Sequence, residues 1–560
     1  MTDFDESFDF VVVGSGGGSM CAALVMREAG KSVAILEKSP LVGGTTAKSG
    51  GVMWIPNNPF MARDGIEDSR EKAITYLEHT AGTSEDAPGT SPERRTTYVD
   101  KAPEMLGFLM RKGIPFDRVS HWPDYYDELP GGSKEGRTVV AEIFNTAELG
   151  HWKERLRPGF LSIPASLEEG LVLPYVKRSW EAKKVMARVI LRTLGAKLTG
   201  KSYVSAGAAL QGRMLKAALD AGADIRPETP VRELLIADGR VVGVETEREG
   251  KPWRIRAERG VLVNAGGFSR NQQMRDRYQK GTRVEWTNTA EGDTGEMIEE
   301  MQRLGAWIAQ MEEMVGYQST IPPGAEEADV KPPAQGLTAK PHAILVDQTG
   351  VRYLNEGGSY AQYCKNMLAR DKVAPAIPSW AIFDSQYMDK YMLAGTMPGR
   401  KKPAAWKDKG YLREADSLRQ LASLLDIDPD RLEATVTRFN GFVEKGVDED
   451  FHRGERGYDR WLGDKLHAPH AALGRIERPP FFAVPVVPGD VGTYGGVVTD
   501  TKARVLTEEG EPIPGLYATG VSTASVMGRS YVGAGASIGP SFVWGYVAAQ
   551  HAAGLDNQAL

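Results

Sequence analysis

Apolar residues fall along the chain in several short blocks, each with its own period. Phe10 to Val13 form an unbroken β-rich run, the pattern of a strand buried on both faces. Glycines follow, and Met20 to Ala29 then reads as helix with Gly30 at its C-terminal stop. Val33 to Leu36 is a second short strand. The same strand-to-glycine pattern returns in GVLVNAGG (Gly260 to Gly267) and in GLYATG (Gly515 to Gly520). EGDTGEMIEEMQRLGAWI reads as a glycine turn into an amphipathic helix, and HAILVDQTGVRYLNE as a hairpin turning at Gln348-Thr349-Gly350. The Pro-rich stretch 322–336 reads as an exposed loop. WEAKKVMARVILRTLGAK predicts a helix with Val185, Met186, Val189, Ile190 and Leu194 near one face. Lys183, Lys184, Arg188 and Arg192 lie on its other side. No run of ~20 apolar residues exists, so no segment is expected to span a membrane.

The order strand, glycine turn, helix, strand is that of a dinucleotide-binding βαβ unit. Gly14, Gly16, Gly17 and Gly18 let backbone close on a pyrophosphate at a helix N-terminus, with Ser15 in the same turn. Glu37 ends the second strand, placed to accept hydrogen bonds from ribose hydroxyls, and Lys38 follows it. Ser19 stands where a third glycine or alanine usually packs and is small enough to serve. LVGGTTAKSGG comes next, and Gly43, Gly44, Thr45, Thr46, Ser49, Gly50 and Gly51 read as a second phosphate-and-flavin loop. Nicotinamide dehydrogenases lack such a loop, so the expected cofactor is FAD. Ala265, Gly266 and Gly520 in the later strand ends, and Ala536 and Ile538 near the last helix, complete the candidate cofactor contacts. No His or Cys lies in GGTTAKSGG, so the FAD is expected to be noncovalent. No second G-x-G-x-x-G is present for a nicotinamide. The fold class is therefore α/β: a discontinuous Rossmann-like FAD-binding domain (1–283 and 488–560) with an inserted α+β substrate-capping domain (284–487).

Composition narrows the reading. Across 560 residues, 41% hydrophobic and 25% charged is ordinary for a multi-domain globular chain. A net charge of −6 argues against a nucleic-acid partner. With only Cys21 and Cys364 there is no disulfide framework, and the acidic N-terminus lacks a signal peptide's basic region. A cytoplasmic protein is expected. His467 and His470 form the closest histidine pair, with no ligand cluster beside them, so no metal is expected. Against the acidic whole, the basic amphipathic stretch 151–201 stands out. Peripheral membrane contact is one reading of it, and a core-docked helix with a solvated basic face is the other.

SYVGAGASIG, from Ser530 to Gly539, sets one phenol beside a run of small residues. Together with VVVGSGGG, LVGGTTAKSGGVMWIPNN, HWPDYYDELPGG, VLVNAGGF, RYLNEGGSYAQY, VDEDFHRGERGYDR and TYGGVVTD it resembles the flavin-dependent 3-ketosteroid dehydrogenases. These belong to the wider fumarate reductase/succinate dehydrogenase flavoprotein family. The matches span essentially the whole chain in order, and 151–201 resembles an insertion found in longer members. The resemblance implies desaturation of C1–C2 in ring A: a base takes a C2 proton and the flavin takes the C1 hydride. Tyr531 resembles the phenol that donates to the 3-keto oxygen, and Gly535 the backbone N–H that donates beside it. Tyr360 resembles the general base and Tyr125 the phenol supporting it. A separate, quinone-like electron acceptor is implied.

An oxyanion needs preorganised donors, and small residues from Val532 to Ala536 let a phenol and an N–H reach one oxygen. A free tyrosine has a pKa near ~10, so a hydrogen bond from Tyr125 is expected to lower that of Tyr360. Val532 and Ala534 stand where the family often has Pro, and Tyr494 where it often has Lys, which raises the question of Tyr494 intruding on the flavin or substrate pocket. Alternatives are a Δ4-dehydrogenase of 5α-3-ketosteroids, a fumarate-reductase-like enoate reductase, and a flavin-binding protein without turnover.

Overall fold

The first apolar run forms strand Glu6–Val13 in the computed structural model, which describes residues 3–560 other than 162, 329, 557 and 559. Helix Gly17–Glu28 follows and strand Val33–Leu36 returns beside the first. The helix begins earlier than its apolar run because Gly17 and Gly18 lie directly under the last helix, Ile538–Ala553. A side chain at Gly17 would strike the Phe542 ring, and one at Gly18 the Ser541 carbonyl. The first helix is buried from Gly17 to Met26, as its all-round apolar sequence requires. Ser19 is buried and accepts a hydrogen bond from Asn264 Nδ2 at 2.9 Å.

Register explains why distant glycine motifs meet. Strand Glu6–Val13 pairs in parallel with Val33–Leu36 and with Lys251–Val263, which pairs in parallel with Pro512–Ala518. Val13 is level with Leu36 and with Val263, and Val263 with Ala518. Four strands thus end on one line, and the residues just beyond them share one crevice, where open parallel sheets bind ligands. A separate antiparallel sheet is built from Ala343–Val346, Ser379–Asp384, Phe481–Val486 and Arg413–Ala415.

Three local expectations are corrected. Residues 291–308 do form a glycine turn and helix, Glu296–Arg303 with left-handed Gly295 before it. The hairpin at 343–356 has only its first arm. Ala343–Val346 pairs with Ser379–Asp384 instead, and the chain after Gly350 runs without a strand to place Arg352 and Glu356 in a buried ion network. The 322–336 loop is exposed only in part. Its second half turns inward, with Lys331, Ala334 and Gln335 buried.

The third correction concerns helix Trp180–Thr199. Val185 and Val189 pack against Ala165 and Leu173, but Ile190 and Leu194 do not join them. At about 100° per residue, Ala182, Val185, Val189 and Ala196 form one stripe, and Ile190 and Leu194 lie on a neighbouring one. That second stripe is in solvent: Ile190 is 50% exposed, Leu191 69%, Leu194 53% and Leu198 88%, with Trp180 at 77%. Arg188 and Arg192 are not simply solvated. Arg192 reaches Glu169 at 2.7 Å and Arg188 reaches it at 3.3 Å, tying this helix to the short helix Leu167–Val172. Among the described residues no helix is long and apolar enough to cross a membrane.

Candidate active site

A continuous cavity of about 550 Å³ runs from the glycine turns at the strand ends to a cluster of tyrosines. At the glycine end it is lined by Gly14, Ser15, Gly16, Glu37, Lys38, Gly44, Thr45, Thr46, Ser49, Gly50, Ala265, Gly266, Gly520 and Ile538. Ser15 fixes the acid: its N–H and hydroxyl both donate to Glu37 Oε2, at 3.1 and 2.5 Å. Ser39 N–H donates to Oε1 at 2.8 Å. Ser15 Oγ also accepts from the Gly43 N–H at 2.9 Å, which joins the two glycine loops. Lys38 is paired with Glu296 and donates to Thr294 Oγ1 at 2.7 Å.

Five of the anticipated contacts lie behind the cavity wall. Gly17 and Gly18 seat the last helix, Gly43 packs on Gln211, and Gly51 lies against the backbone of Ala206 and Gly207. Ala536 accepts a hydrogen bond from the Tyr494 hydroxyl at 3.0 Å. That bond also answers the question of intrusion. Tyr494 is buried behind Tyr531, with ring centroids 5.7 Å apart, and does not line the cavity.

Several residues that sequence reasoning missed also line the glycine end. Arg157 is buried, bonded to Glu291 at 3.0 Å and to Ser39 Oγ at 2.9 Å. Lys48 donates to the Thr289 carbonyl at 3.1 Å. Asp293 accepts from the Gly267 N–H through Oδ1, while its buried Oδ2 has no partner. Burial pushes the Asp293 carboxyl up to about 6. A bare-backbone turn at a helix N-terminus and an unsatisfied buried carboxylate oxygen are what a hydroxyl-rich dinucleotide would satisfy, so the residues fit FAD. The glycine turn in EGDTG was the available signal for Asp293, and the GGTTAKSGG loop the one for Lys48; Arg157 carries none in its own neighbourhood.

At the other end Tyr125, Tyr360 and Tyr531 form a triangle. Ring centroids are 5.3 Å apart for Tyr125–Tyr360, 5.2 Å for Tyr360–Tyr531 and 6.0 Å for Tyr125–Tyr531. Tyr531 leads into a loop held by hydrogen bonds in place of prolines: the Val532 carbonyl accepts from Tyr76 Oη at 2.6 Å and from the Tyr125 N–H at 3.0 Å. One carbonyl thus positions two of the segments that form the cluster. Gly535 is left-handed (φ +89°), and a Cβ there would run into the Val52 carbonyl. The Tyr531 hydroxyl lies 3.1 Å from Ser537 Oγ, and the N–H groups of Gly535 and Ser537 face it too. Donors therefore converge at this corner of the cavity.

Tyr360 is the first residue of helix Tyr360–Asp371, whose N-terminal dipole favours negative charge. The loop delivering it is anchored by a buried network. Arg352 bonds Glu356 at 2.7 Å and Asp448 at 2.6 Å, and Arg453 bonds Glu356 at 3.2 Å. This explains why charged residues recur in RYLNEGG and VDEDFHRG. Burial raises the Tyr360 phenol well above the usual tyrosine range, and the neighbouring Tyr125 and Tyr531 phenols raise it further. The expectation that Tyr125 lowers it is reversed in the protein alone. Adjacent buried phenols cannot all ionise, and the cations lining the cavity bond elsewhere: Arg157 to Glu291 and Ser39, Lys38 to Glu296, Lys48 to Thr289.

Beyond the triangle the wall is aromatic and apolar. Trp122 stacks on Trp461 at 4.4 Å, and Leu462, Phe160, Leu161, Leu167 and Leu171 continue the lining into the 151–201 segment. Phe160 and Leu171 are 45% and 40% exposed, at the rim.

Comparison with known proteins gives the family. Residues 9–538 match the family model described as FAD binding domain. The chain is 38% identical to a 3-oxosteroid 1-dehydrogenase of Mycobacterium tuberculosis, over 98% of both proteins. It is 33% identical to a 4-oxocyclohexanecarboxylate 2-dehydrogenase of Sinomonas cyclohexanicum, over 99% of this chain and 95% of that one. Its fold superposes with a TM-score of 0.89 on the crystal structure of 3-ketosteroid delta1-dehydrogenase from Sterolibacterium denitrificans in complex with 1,4-androstadiene-3,17-dione. That protein is 33% identical, with 98% of this chain and all of that chain covered. The chain belongs to the FAD-binding flavoprotein family that includes the 3-oxosteroid 1-dehydrogenases.

Proposed function

We propose that this chain is a FAD-dependent dehydrogenase that introduces the C1–C2 double bond into 3-ketosteroids. The observation that carries the reading is the triangle of Tyr125, Tyr360 and Tyr531 with the Gly535 N–H, in the same cavity as the cofactor glycines. The Tyr531 hydroxyl and the Gly535 N–H donate to the 3-keto oxygen and stabilise the enolate charge that builds there. Polarising that carbonyl acidifies C2, and Tyr360 accepts the proton, with Tyr125 sharing the negative charge of the phenolate. FAD, held noncovalently by residues 1–283 and 488–560, supplies the acceptor for the C1 hydride. Residues 284–487 cap the site and contribute Tyr360. A dicarboxylate reductase would need cations at the tyrosine end, where this cavity has phenols and indoles.

The exposed ridge of Trp180, Ile190, Leu191, Leu194 and Leu198 supports peripheral docking on a bilayer. Lys183 lies over the Trp180 ring at 4.2 Å, so a cation and an indole sit together, as suits a headgroup layer. The same segment supplies the apolar cavity rim, so a docked enzyme takes its substrate from lipid. A membrane quinone is then the acceptor at hand for reoxidation. The test of the function is anaerobic mixing with androst-4-ene-3,17-dione. Flavin bleaching with formation of the 1,4-diene is expected, and a flavin that stays oxidised with every 3-ketosteroid would refute it.

A further inference from the structure

The mechanism leaves two phenols in the cavity unassigned, Tyr317 and Tyr458. Tyr458 is buried, lines the same cavity and lies face to face with Tyr125, ring centroids 4.2 Å apart and planes at 28°. That is closer than any side of the catalytic triangle. Tyr125 thus lies between two phenols, with its ring centroid 5.3 Å from that of Tyr360 and 4.2 Å from that of Tyr458, and Gln335 lines the same cavity. Gln335 is fixed by donating to the Gly358 carbonyl at 2.7 Å, and exposed Gly336 follows it. Tyr531 is occupied at the keto corner with Ser537. The one further phenol that Tyr360 touches is Tyr317, with centroids 5.5 Å apart and no hydroxyl link to a further group.

We propose that Tyr458 is a positioning residue for the base: the third phenol of a chain Tyr360–Tyr125–Tyr458 that spreads the phenolate charge and returns the abstracted proton to water beside Gln335. The proposal rests on the reading of Tyr360 as base. Its proton count closes. To form the base, the Tyr360 hydroxyl proton passes to Tyr125, the Tyr125 proton to Tyr458 and the Tyr458 proton to water, which leaves one negative charge on the chain; the C2 proton then binds the Tyr360 oxygen and restores three neutral phenols. The C2–H electron pair stays with the steroid and becomes part of the new double bond as the C1 hydride departs to the cofactor. No bond to Tyr458 other than its O–H is made or broken.

One buried phenolate is costly, and each phenol that donates to it lowers the cost. The charged groups around Tyr458 bond elsewhere, except that the buried Oδ1 of Asp459 has no partner. Asp459 Oδ2 accepts from Asn355 Nδ2 at 3.0 Å and from the Gly454 N–H at 2.9 Å. Asp127 accepts from the Tyr458 N–H at 3.1 Å, and Arg453 and Arg456 act on Asp459 and Glu128 rather than on the phenol. The other titratable neighbours are Tyr125, Tyr317 and Tyr360 themselves. The Arg352 network anchors the Tyr360 loop and, through Asp448 and Arg453, the loop that delivers Tyr458, so both ends of the chain are held by one frame.

The experiment uses the full-length, FAD-loaded enzyme. Flavin bleaching by androst-4-ene-3,17-dione is followed by anaerobic stopped flow from pH 6 to 10, in H₂O and D₂O, for wild type and Tyr458→Phe. The phenylalanine keeps the stacked ring. The expected result is about a tenfold slower reduction at neutral pH, one unit of pKa being a factor of ten in the phenolate fraction. The alkaline limb should move up by about one pH unit, with a larger solvent isotope effect and unchanged steroid affinity. Gln335→Glu, which leaves every phenol in place, should move the limb the same way by setting a carboxylate beside Tyr458. It decides the question if Tyr458→Phe loses FAD or fails to fold. Identical pH limbs and solvent isotope effects in wild type and variant, with only a uniform drop in rate, would overturn the proposal and leave Tyr458 as packing. A wild type that does not bleach with steroid would instead overturn the function on which the proposal rests.

Discussion

Replacing Tyr531 by Phe isolates one donor. The ring remains, with its packing against Tyr125, Tyr360 and Tyr494 at 5.2 to 6.0 Å. What disappears is the hydroxyl at the keto corner. Loss of a single oxyanion donor costs about 10²–10³ in kcat, or about 2.7–4 kcal/mol. Two features of this corner place the loss at the lower end. The Gly535 N–H stays, because its left-handed conformation is fixed by contact with Val52. Ser537 Oγ, 3.1 Å from the deleted hydroxyl, is freed to turn toward the same oxygen. The expected loss is therefore about 10²-fold, near 2.7 kcal/mol. The assay is single-turnover flavin reduction under anaerobic conditions, which separates chemistry from product release. FAD content, read from the visible spectrum of the purified variant, should match wild type. Reduction at the wild-type rate would refute the reasoning, and Tyr531 would then be a packing residue with the glycines after it serving the cofactor alone.

Three further outcomes follow from particular contacts. Replacing Trp180, Leu191 and Leu198 by Ser should abolish sedimentation with anionic vesicles while turnover of detergent-solubilised steroid stays near normal; equal vesicle binding would leave the ridge without a membrane role. Arg352→Met strands Glu356 and Asp448 with one cation fewer in a buried network, a loss of about 3–5 kcal/mol, read as a lower melting temperature; an unchanged melting temperature would show that Arg453 suffices alone. Acid precipitation of the holoenzyme should leave all yellow chromophore in the supernatant, whereas a coloured pellet would mean a covalent flavin.

Much of the fold was legible because its signals are local. The turn at Gly14 to Gly18, the strand at Val33 to Leu36 and the helix after Gly295 each lie within a few residues of their cause. The shared level of Val13, Leu36, Val263 and Ala518 is implicit in three similar strand-to-glycine motifs and the acid-ended strand Val33–Leu36. What escaped was set by tertiary packing. The second hairpin arm failed because Arg352 and Glu356 have a better use in the ion network than in a strand ladder. Ile190 and Leu194 read as one face with Val185 and Val189 because hydrophobicity does not say where the buried stripe ends. Tyr458 and Arg157 meet their site partners more than a hundred positions away, and Asp293 stands out through a partnerless oxygen. The raised Tyr360 phenol was misjudged because hydrogen bonding was weighed without burial.

The central claim, hydride loss from C1 with proton loss from C2, is tested most directly by 5α-androstane-3,17-dione deuterated at C1. This steroid can be desaturated at either C1–C2 or C4–C5. The account predicts that bleaching slows with the label and that the product is the 1-ene, one deuterium poorer. A 4-ene product that retains all its C1 deuterium, formed with no isotope effect on bleaching, would contradict it.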